Sequence, residues 1–418
     1  MKLFDPFAFQ HYQLMDGTPT YVNLSFPVEA VMLGVFIPLG SRNEKPGKEG
    51  LAHFMEHMPF RGTKNFPDKK SLAAPVEDRG GTLNAWTSTD HIVFLAKVAP
   101  GDAELGAKVL LELTERAKNT EPDFEKERLV VIEEFLDTYS AAENFAAKIA
   151  YPLLFPDHPL GHLALGELPA LKSLTITDLR NFYQQCRGAK KALLVIGGGV
   201  SAGAVLSLLD RHFSQTSTSG KTIGKLGVIT EVAEERTIIV ADQPYSRSAL
   251  FIGMHGIPGA DFQTKIAAEI FFAMLGDGMS SPLFETLRER GALVYNYGLW
   301  HQRFEDAGVF SFQANTKFAN TESARDKFWE AVRSTAKDPK RFSVAKEMLV
   351  KKLGMDTYAL WNAISRIAEE LSVRAPILSL QEEIAAIRKT SFEDVNRMAE
   401  AYFRREKSLT VIVKGQAE

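Results

Sequence analysis

The sequence predicts an α+β protein made of two homologous α/β domains in one chain. Three observations lead there. First, 418 residues are too many for one hydrophobic core, and two domains of roughly 200 residues are the natural division. Second, residues 214 to 225, Ser-Gln-Thr-Ser-Thr-Ser-Gly-Lys-Thr-Ile-Gly-Lys, have the composition of a linker. Third, Leu33-Gly34-Val35-Phe36-Ile37-Pro38-Leu39-Gly40 is echoed by Leu250-Phe251-Ile252-Gly253-Met254-His255-Gly256-Ile257-Pro258-Gly259, a self-similarity at an offset of about 210 to 220 residues. The expected division is an N-terminal domain at 1–213, a linker at 214–229 and a C-terminal domain at 230–418.

In chain order, β-rich runs around Thr18-Tyr21-Val22 and Val31 to Ile37 read as an antiparallel pair of strands. A polar, turn-rich loop, Gly40 to Gly47, leads into a helix over Leu51 to Phe60. A second helix is expected near 68 to 79, then Gly80-Gly81 and a strand or hairpin from Thr82 to Val98. Helical patterns follow near 101 to 118 and 122 to 146, a loop at Phe155 to Gly161, and a helix from about Thr177. Leu193 to Ile196 reads as a buried strand that ends in Gly197-Gly198-Gly199. Those glycines lack the G-x-G-x-x-G spacing of a dinucleotide site. In the second half the helix and Gly-turn-strand pattern recurs, with Gly291 to Asn296 answering Gly81 to Asn84.

Composition narrows the function. A net charge of −3 gives no electrostatic footprint for nucleic acid or an acidic membrane. No run of 18 apolar residues is present for a membrane span. The single cysteine, Cys186, rules out an intrachain disulfide and a cysteine metal cluster. With no apolar signal core near the N-terminus, the expectation is a cytoplasmic protein.

The chemistry concentrates in Leu51-Ala-His-Phe-Met-Glu-His-Met-Pro-Phe60. His53 and His57, four apart on a helix, stand one turn above the other. Two such imidazoles can share a zinc ion, and Glu56 at the edge of that face can take a proton from a water the ion polarises. The order H-x-x-E-H is the inverzincin form. Nine histidines in the chain produce such a pentapeptide by chance in about one chain of this size in a hundred, so a helix with ordinary histidines is the competing reading. The second half carries Ala268-Glu269-Ile270-Phe271-Phe272 at the equivalent place, so only the first can hold the metal. His11, His91, His158, His162, His212, His255 and His301 have no second ligand at a metal spacing.

A catalytic zinc takes three protein ligands, and the third is sought in Asp123 to Tyr139. On a helical wheel Leu129, Ile132, Phe135, Leu136 and Tyr139 form an apolar stripe. Glu133 falls among Lys126, Asp137 and Ser140, while Glu134 falls with Glu127, Val130, Val131 and Thr138. The wheel favours Glu134, with Glu127 nearby, and leaves open that both are surface charges.

Six places resemble the pitrilysin/insulinase family of zinc metallopeptidases, especially its mitochondrial-processing-peptidase-like branch. They are Gly40-Ser41-Arg42; His53 to Met58 with Arg61-Gly62-Thr63; Gly80 to Ala85; Glu127 with Glu133-Glu134; His158 to Gly161; and Arg288 to Tyr295. The 76 residues between His57 and Glu134 agree with the family's spacing. The resemblance implies one Zn²⁺ per chain on His53, His57 and Glu134, Glu56 as general base, and Glu127 as a supporting carboxylate behind the metal ligands. It implies antiparallel sheets covered by helices, forming half of a clamshell chamber. The implied partner is a second chain, with a homodimer preferred and a heterodimer with a related subunit as the alternative. Arg288 and Tyr295 match a pair that holds substrate and steadies the transition state, acting across the interface by preference. Asn84 and Ala85, on a sheet edge beside the metal, would seat an extended peptide or unfolded polypeptide by backbone pairing, with Trp86 tuning side-chain preference. The implied activity is a zinc endopeptidase, and a non-catalytic scaffold subunit is its rival.

Overall fold

A computed structural model describes residues 4–213, 232, 234–355 and 359–416; the expected linker at 214–229 lies outside them. The strands are β1 Gln10–Gln13, β2 Pro19–Asn23, β3 Val31–Ile37, β4 Thr82–Thr87, β5 Ile92–Val98, β6 Ala192–Gly197, β7 Arg236–Gln243, β8 Ser248–His255, β9 Val294–Arg303, β10 Gly308–Thr316 and β11 Leu409–Gly415. The helices of the first half are α1 Leu51–His57, α2 Lys69–Glu77, α3 Ala103–Glu115, α4 Glu121–Thr138, α5 Ala142–Leu154, α6 Leu168–Ser173, α7 Ile176–Gly188 and α8 Ala202–Phe213. Those of the second are α9 Phe262–Gly276, α10 Thr321–Thr335, α11 Pro339–Met355, α12 Leu360–Ser372, α13 Leu380–Lys389 and α14 Phe392–Tyr402. None of the described helices is long and apolar enough to cross a membrane.

Two sheets carry the fold, ordered β1-β2-β6-β3-β5-β4 and β7-β11-β8-β10-β9. Without β1, the first order maps onto the second strand for strand. Each sheet is antiparallel except for one parallel pair, β2 with β6 and β7 with β11. The echo between Leu33 and Leu250 is thus an echo between central strands, β3 and β8. One expectation is corrected here. The runs at 19–23 and 31–37 do not pair with each other, because β6 inserts between them, parallel to β2 and antiparallel to β3. Nothing local records a strand that arrives from about 160 residues downstream, which is why pairing by proximity fails. The expected hairpin is β4 and β5, and β4 ends the sheet with its outer edge unpaired.

The expected helix at 122 to 146 is two helices. Tyr139 closes α4 and Ala141, in extended backbone, opens α5. No Gly or Pro stands at the break; tertiary packing imposes it. Ala142, Ala146, Ala150 and Leu154 of α5 bury against Ala249, Phe251, Leu409 and Val411 of the second sheet. Reciprocally, Leu360, Ala363, Ile364 and Ile367 of α12 bury against Met32, Phe36, Val93, Leu95 and Leu194 of the first sheet. Each half therefore lends a helix to the other's sheet. Arg42, 7% exposed, adds a charged tie by pairing with Asp90 and with Asp306 of the second half.

Because α12 closes the first sheet, its core side chains hold both halves together. Ile364→Ala, at a fully buried position, should cost about 2–5 kcal/mol. Chemical denaturation followed by tryptophan fluorescence and by far-UV circular dichroism should show both signals shifting together. An effect confined to one signal would contradict the exchange.

Candidate metal centre

Helix α1 is fixed before its chemistry begins. Gly50 precedes it at φ +106°, a left-handed conformation open to glycine, and a Cβ there would lie 2.4 Å from Leu171. Glu44, from the loop ahead of the helix, accepts from the backbone amides of Gly50 at 2.9 Å and Ala52 at 2.6 Å. It satisfies donors that every helix start leaves open, although burial pushes its own pKa up to about 8. Leu51, Ala52, Phe54 and Met55 are buried, and the Phe54 ring packs 4.9 Å from Phe124 of α4. Arg128 of α4 donates to the carbonyls of Leu171 and Leu174, which anchors α4 against the end of α6.

These contacts bring His53, His57 and Glu134 together. His53 Nε2 lies 3.2 Å from His57 Nε2, and Glu134 Oε2 lies 3.7 and 3.6 Å from the same two atoms. A tetrahedral cation with bonds of about 2.0–2.1 Å spaces its donors about 3.3–3.4 Å apart. The three separations bracket that value. The carboxylate is beyond hydrogen-bond distance of either ring, the two ring nitrogens lie within it, and all three atoms gather about one point. The donor set, two imidazoles and one carboxylate, suits zinc. Among the described residues this is the one group of three such side chains placed to hold a metal ion.

The surrounding groups set the charge states. Burial holds His53 neutral, its pKa pushed down to about 3. His57 Nδ1–H donates to Glu127 Oε1 at 2.9 Å, which leaves the Nε2 lone pair facing the other donors. Burial pulls the His57 pKa down, but that hydrogen bond and the carboxylates around it outweigh burial and raise it. Glu127 is buried, yet its pKa falls below the ordinary value because it accepts from both His57 and Arg61. Glu56 stays outside the converging set. Burial raises its pKa, and Thr87 Oγ1 donates to its Oε2 at 2.7 Å.

The other singled-out residues fall in three places. Asn84 and Ala85 lie on the edge strand β4, with Asn84 Oδ1 accepting from the Ala85 amide at 2.8 Å. Leu83 and Ala85 pack with the core that contains α1, whereas Trp86 turns to the opposite face, against Trp361 of α12 at 5.2 Å and with its indole N–H on His91. Arg288 and Tyr295 are exposed at the edge of the second sheet. Arg288 lies near the end of a π-helix, Phe284–Glu289, and Tyr295 lies under the Arg247 guanidinium at 3.9 Å. Neither pairs with the metal cluster among the described residues. The wheel's apolar stripe is corrected: Leu129 and Leu136 are 66% and 48% exposed, and α4 instead buries Phe124, Glu127, Val131 and Phe135. Sequence reasoning assigned no role to Glu44, Arg61 or Thr87. Only the four-residue step from His57 to Arg61 carried a signal, since it places both on one helix face.

A family model described as Insulinase (Peptidase family M16) matches residues 23–161, and one described as Peptidase M16 inactive domain matches residues 173–349. The chain belongs to the M16 (pitrilysin/insulinase) family. An uncharacterized zinc protease of Rickettsia bellii is 25% identical over 394 residues, 92% of each chain. The uncharacterized zinc protease YmxG of Bacillus subtilis is 24% identical over 407 residues, 96% of this chain and 98% of that one. Among solved structures, a Helicobacter pylori protease superposes with a TM-score of 0.87 at 20% identity, covering 97% of this chain and 99% of that one. A Pseudomonas fluorescens structure described as an M16 inactive domain also reaches 0.87, at 16% identity and 98% coverage of both. At such identities the superpositions show the M16 fold alone. Both M16 models together span the two halves, and the metal cluster lies within the insulinase segment.

Glu134→Ala should lower bound zinc well below that of the unaltered chain in metal analysis, whereas Glu133→Ala, at an exposed position, should leave it unchanged. Equal zinc in both variants would remove Glu134 from the ligand set.

Proposed function

We propose that the chain is a zinc-dependent endopeptidase that hydrolyses peptides or unfolded segments, with one Zn²⁺ on His53, His57 and Glu134. The observation that carries this reading is the convergence of three donor atoms beside a fourth, separate carboxylate. When bound, the ion supplies Lewis-acid polarisation of water and of the substrate carbonyl. Glu56 takes the proton of the attacking water and returns it to the leaving amine. Glu127 holds the His57 ring with Nδ1 protonated and Nε2 free. The free edge of β4 seats the substrate as an added strand, held at Asn84 and Ala85 by main-chain hydrogen bonds. Such binding reads extended shape more than sequence, which suits unfolded segments. Trp86, on the far face, acts on preference only through the position of the strand.

The half-chamber closes, in this reading, with a second copy. Two observations support it. Exposed Leu129, Val130 and Leu136 stand on the helix that bears Glu134, an apolar surface suited to being covered. Arg288 and Tyr295 make no contact with their own chain's metal cluster among the described residues, so they serve a site in the partner. A related, unlike subunit is the alternative. The single cysteine supports a reducing, cytoplasmic setting.

Glu56→Gln should keep its zinc and lose at least about 100-fold in turnover of a quenched fluorogenic peptide. Undiminished turnover would remove Glu56 as base, and a chain that takes up no zinc would favour a scaffold role. Light scattering should give twice the mass of one chain, and Leu129→Asp with Leu136→Asp should reduce it to one.

A further inference from the structure

We propose that Thr87 is the positioning residue for Glu56: from the strand that seats the substrate, its hydroxyl fixes the carboxylate beside the metal site. The inference rests on the peptidase reading above and adds to it a named group and a reason for its place in the fold.

Glu56 has the hardest task in the cluster. It must stay close to the converging donors without becoming one of them. A glutamate has three rotatable side-chain bonds, and holding it in one rotamer costs conformational entropy. A helix of seven residues, Leu51–His57, cannot provide that restraint from its own surface. The restraint comes from another element. Among the described residues, the one side chain that donates to the Glu56 carboxylate is Thr87, at 2.7 Å. The Thr87 hydroxyl also lies 3.4 Å from the Ala52 carbonyl, but it has a single proton, and the shorter contact to a carboxylate takes it.

Thr87 is itself held tightly. It is the last residue of β4, paired with Ile92 of β5, and the next residue closes the turn through Ser88 N–H to the His91 carbonyl at 2.8 Å. Alternation along β4 puts Leu83 and Ala85 on the α1 side, and Thr87 shares their phase. Its β-branched side chain is stiff about χ1. The hydroxyl is therefore presented from a locked backbone through one restricted bond.

The strand matters because of its other edge. β4 pairs with β5 on one side only, and the free side is where an extended substrate would add. A hydrogen bond from this strand to the base joins the substrate's register and the base's position in one rigid body. A shift of the strand carries the scissile carbonyl and Glu56 together, which preserves the geometry that proton transfer needs.

The test uses the zinc-loaded full chain. Thr87→Val removes the hydroxyl while keeping the branched shape, and Thr87→Ser restores a hydroxyl. With a fluorogenic peptide, Thr87→Val should lower kcat about 10–100-fold with KM within about threefold. Zinc content should equal that of the unaltered chain in both variants, and Thr87→Ser should recover most of the lost kcat. Adding Thr87→Val to Glu56→Gln should cost nothing further, since the hydroxyl then has no base to position. Undiminished kcat in Thr87→Val, a loss that serine does not restore, or a loss that tracks zinc content would each overturn the proposal. The two readings fail separately. An unaltered, zinc-loaded chain that cleaves no peptide sinks the peptidase assignment, full turnover by Glu56→Gln removes Glu56 as base and Thr87 with it, and full turnover by Thr87→Val with an inert Glu56→Gln removes Thr87 alone.

Discussion

Everything in the first half answers one constraint: three electron-rich atoms, two imidazole nitrogens and a carboxylate oxygen, must be held 3.2 to 3.7 Å apart. His53 is buried and His57 nearly so, while the Glu134 side chain is 44% exposed and brings its negative charge to the group from the solvent side. Packing imposes the arrangement from outside. Phe54 against Phe124 sets the distance between α1 and α4, Glu44 and Gly50 fix where α1 begins, and Glu127 with Arg61 fixes the His57 ring. The carboxylate of Glu127 is held ionised between an imidazole and a guanidinium, so the charge that orients the ring is itself neutralised within the cluster. A cation with two positive charges is the natural relief for what remains. The site is built in advance, on a short helix with contacts on every side.

The exchange of α5 and α12 serves the same end at a larger scale. A sheet with one face bare would present Met32, Phe36 and Leu194 to water. Each half could cover that face only with a helix of its own, and two independent domains joined by a linker would then be free to move apart. Crossing the helices makes the halves one body, and Arg42, bonded to Asp90 and Asp306, sits at the junction.

How much of this the sequence disclosed follows the range of the interactions. The His53 helix, the β4–β5 hairpin and the β3/β8 echo depend on neighbours within a few residues or on repetition, and both leave a readable pattern. The insertion of β6 between β2 and β3 leaves none, because strand order is decided by pairing across most of a domain. The end of α4 at Tyr139 is invisible for a similar reason: the chain bends there to reach the second sheet, without a Gly or Pro to mark it. Leu129 and Leu136 misled the wheel because an apolar residue on a helix is not thereby a buried one, and much of a folded surface is apolar. The phase of Glu134 with Glu127 leaned toward the face where it meets His53 and His57, and left open that both were surface charges. Glu44, Arg61 and Thr87 were not legible, since a lone glutamate, arginine or threonine has many ordinary uses and its partner is known only once the elements are placed.

The second half shows what the fold does without the chemistry. Its sheet repeats the strand order of the first, and α9 stands where α1 would, yet α9 buries Ile266, Ile270, Phe271 and Met274 where α1 has imidazoles. The polar residue that α9 buries is Lys265, bonded to Glu370 of α12, with Arg303 sharing the same carboxylate. That cluster satisfies its own charges, and its cations already occupy the carboxylate that a metal ion would need. One topology thus supports two opposite solutions, a half whose polar groups are closed on themselves and a half whose polar groups are left incomplete. The difference resides in side chains on α1 and α4, which gather where a metal ion could be held, and not in the sheet that carries them.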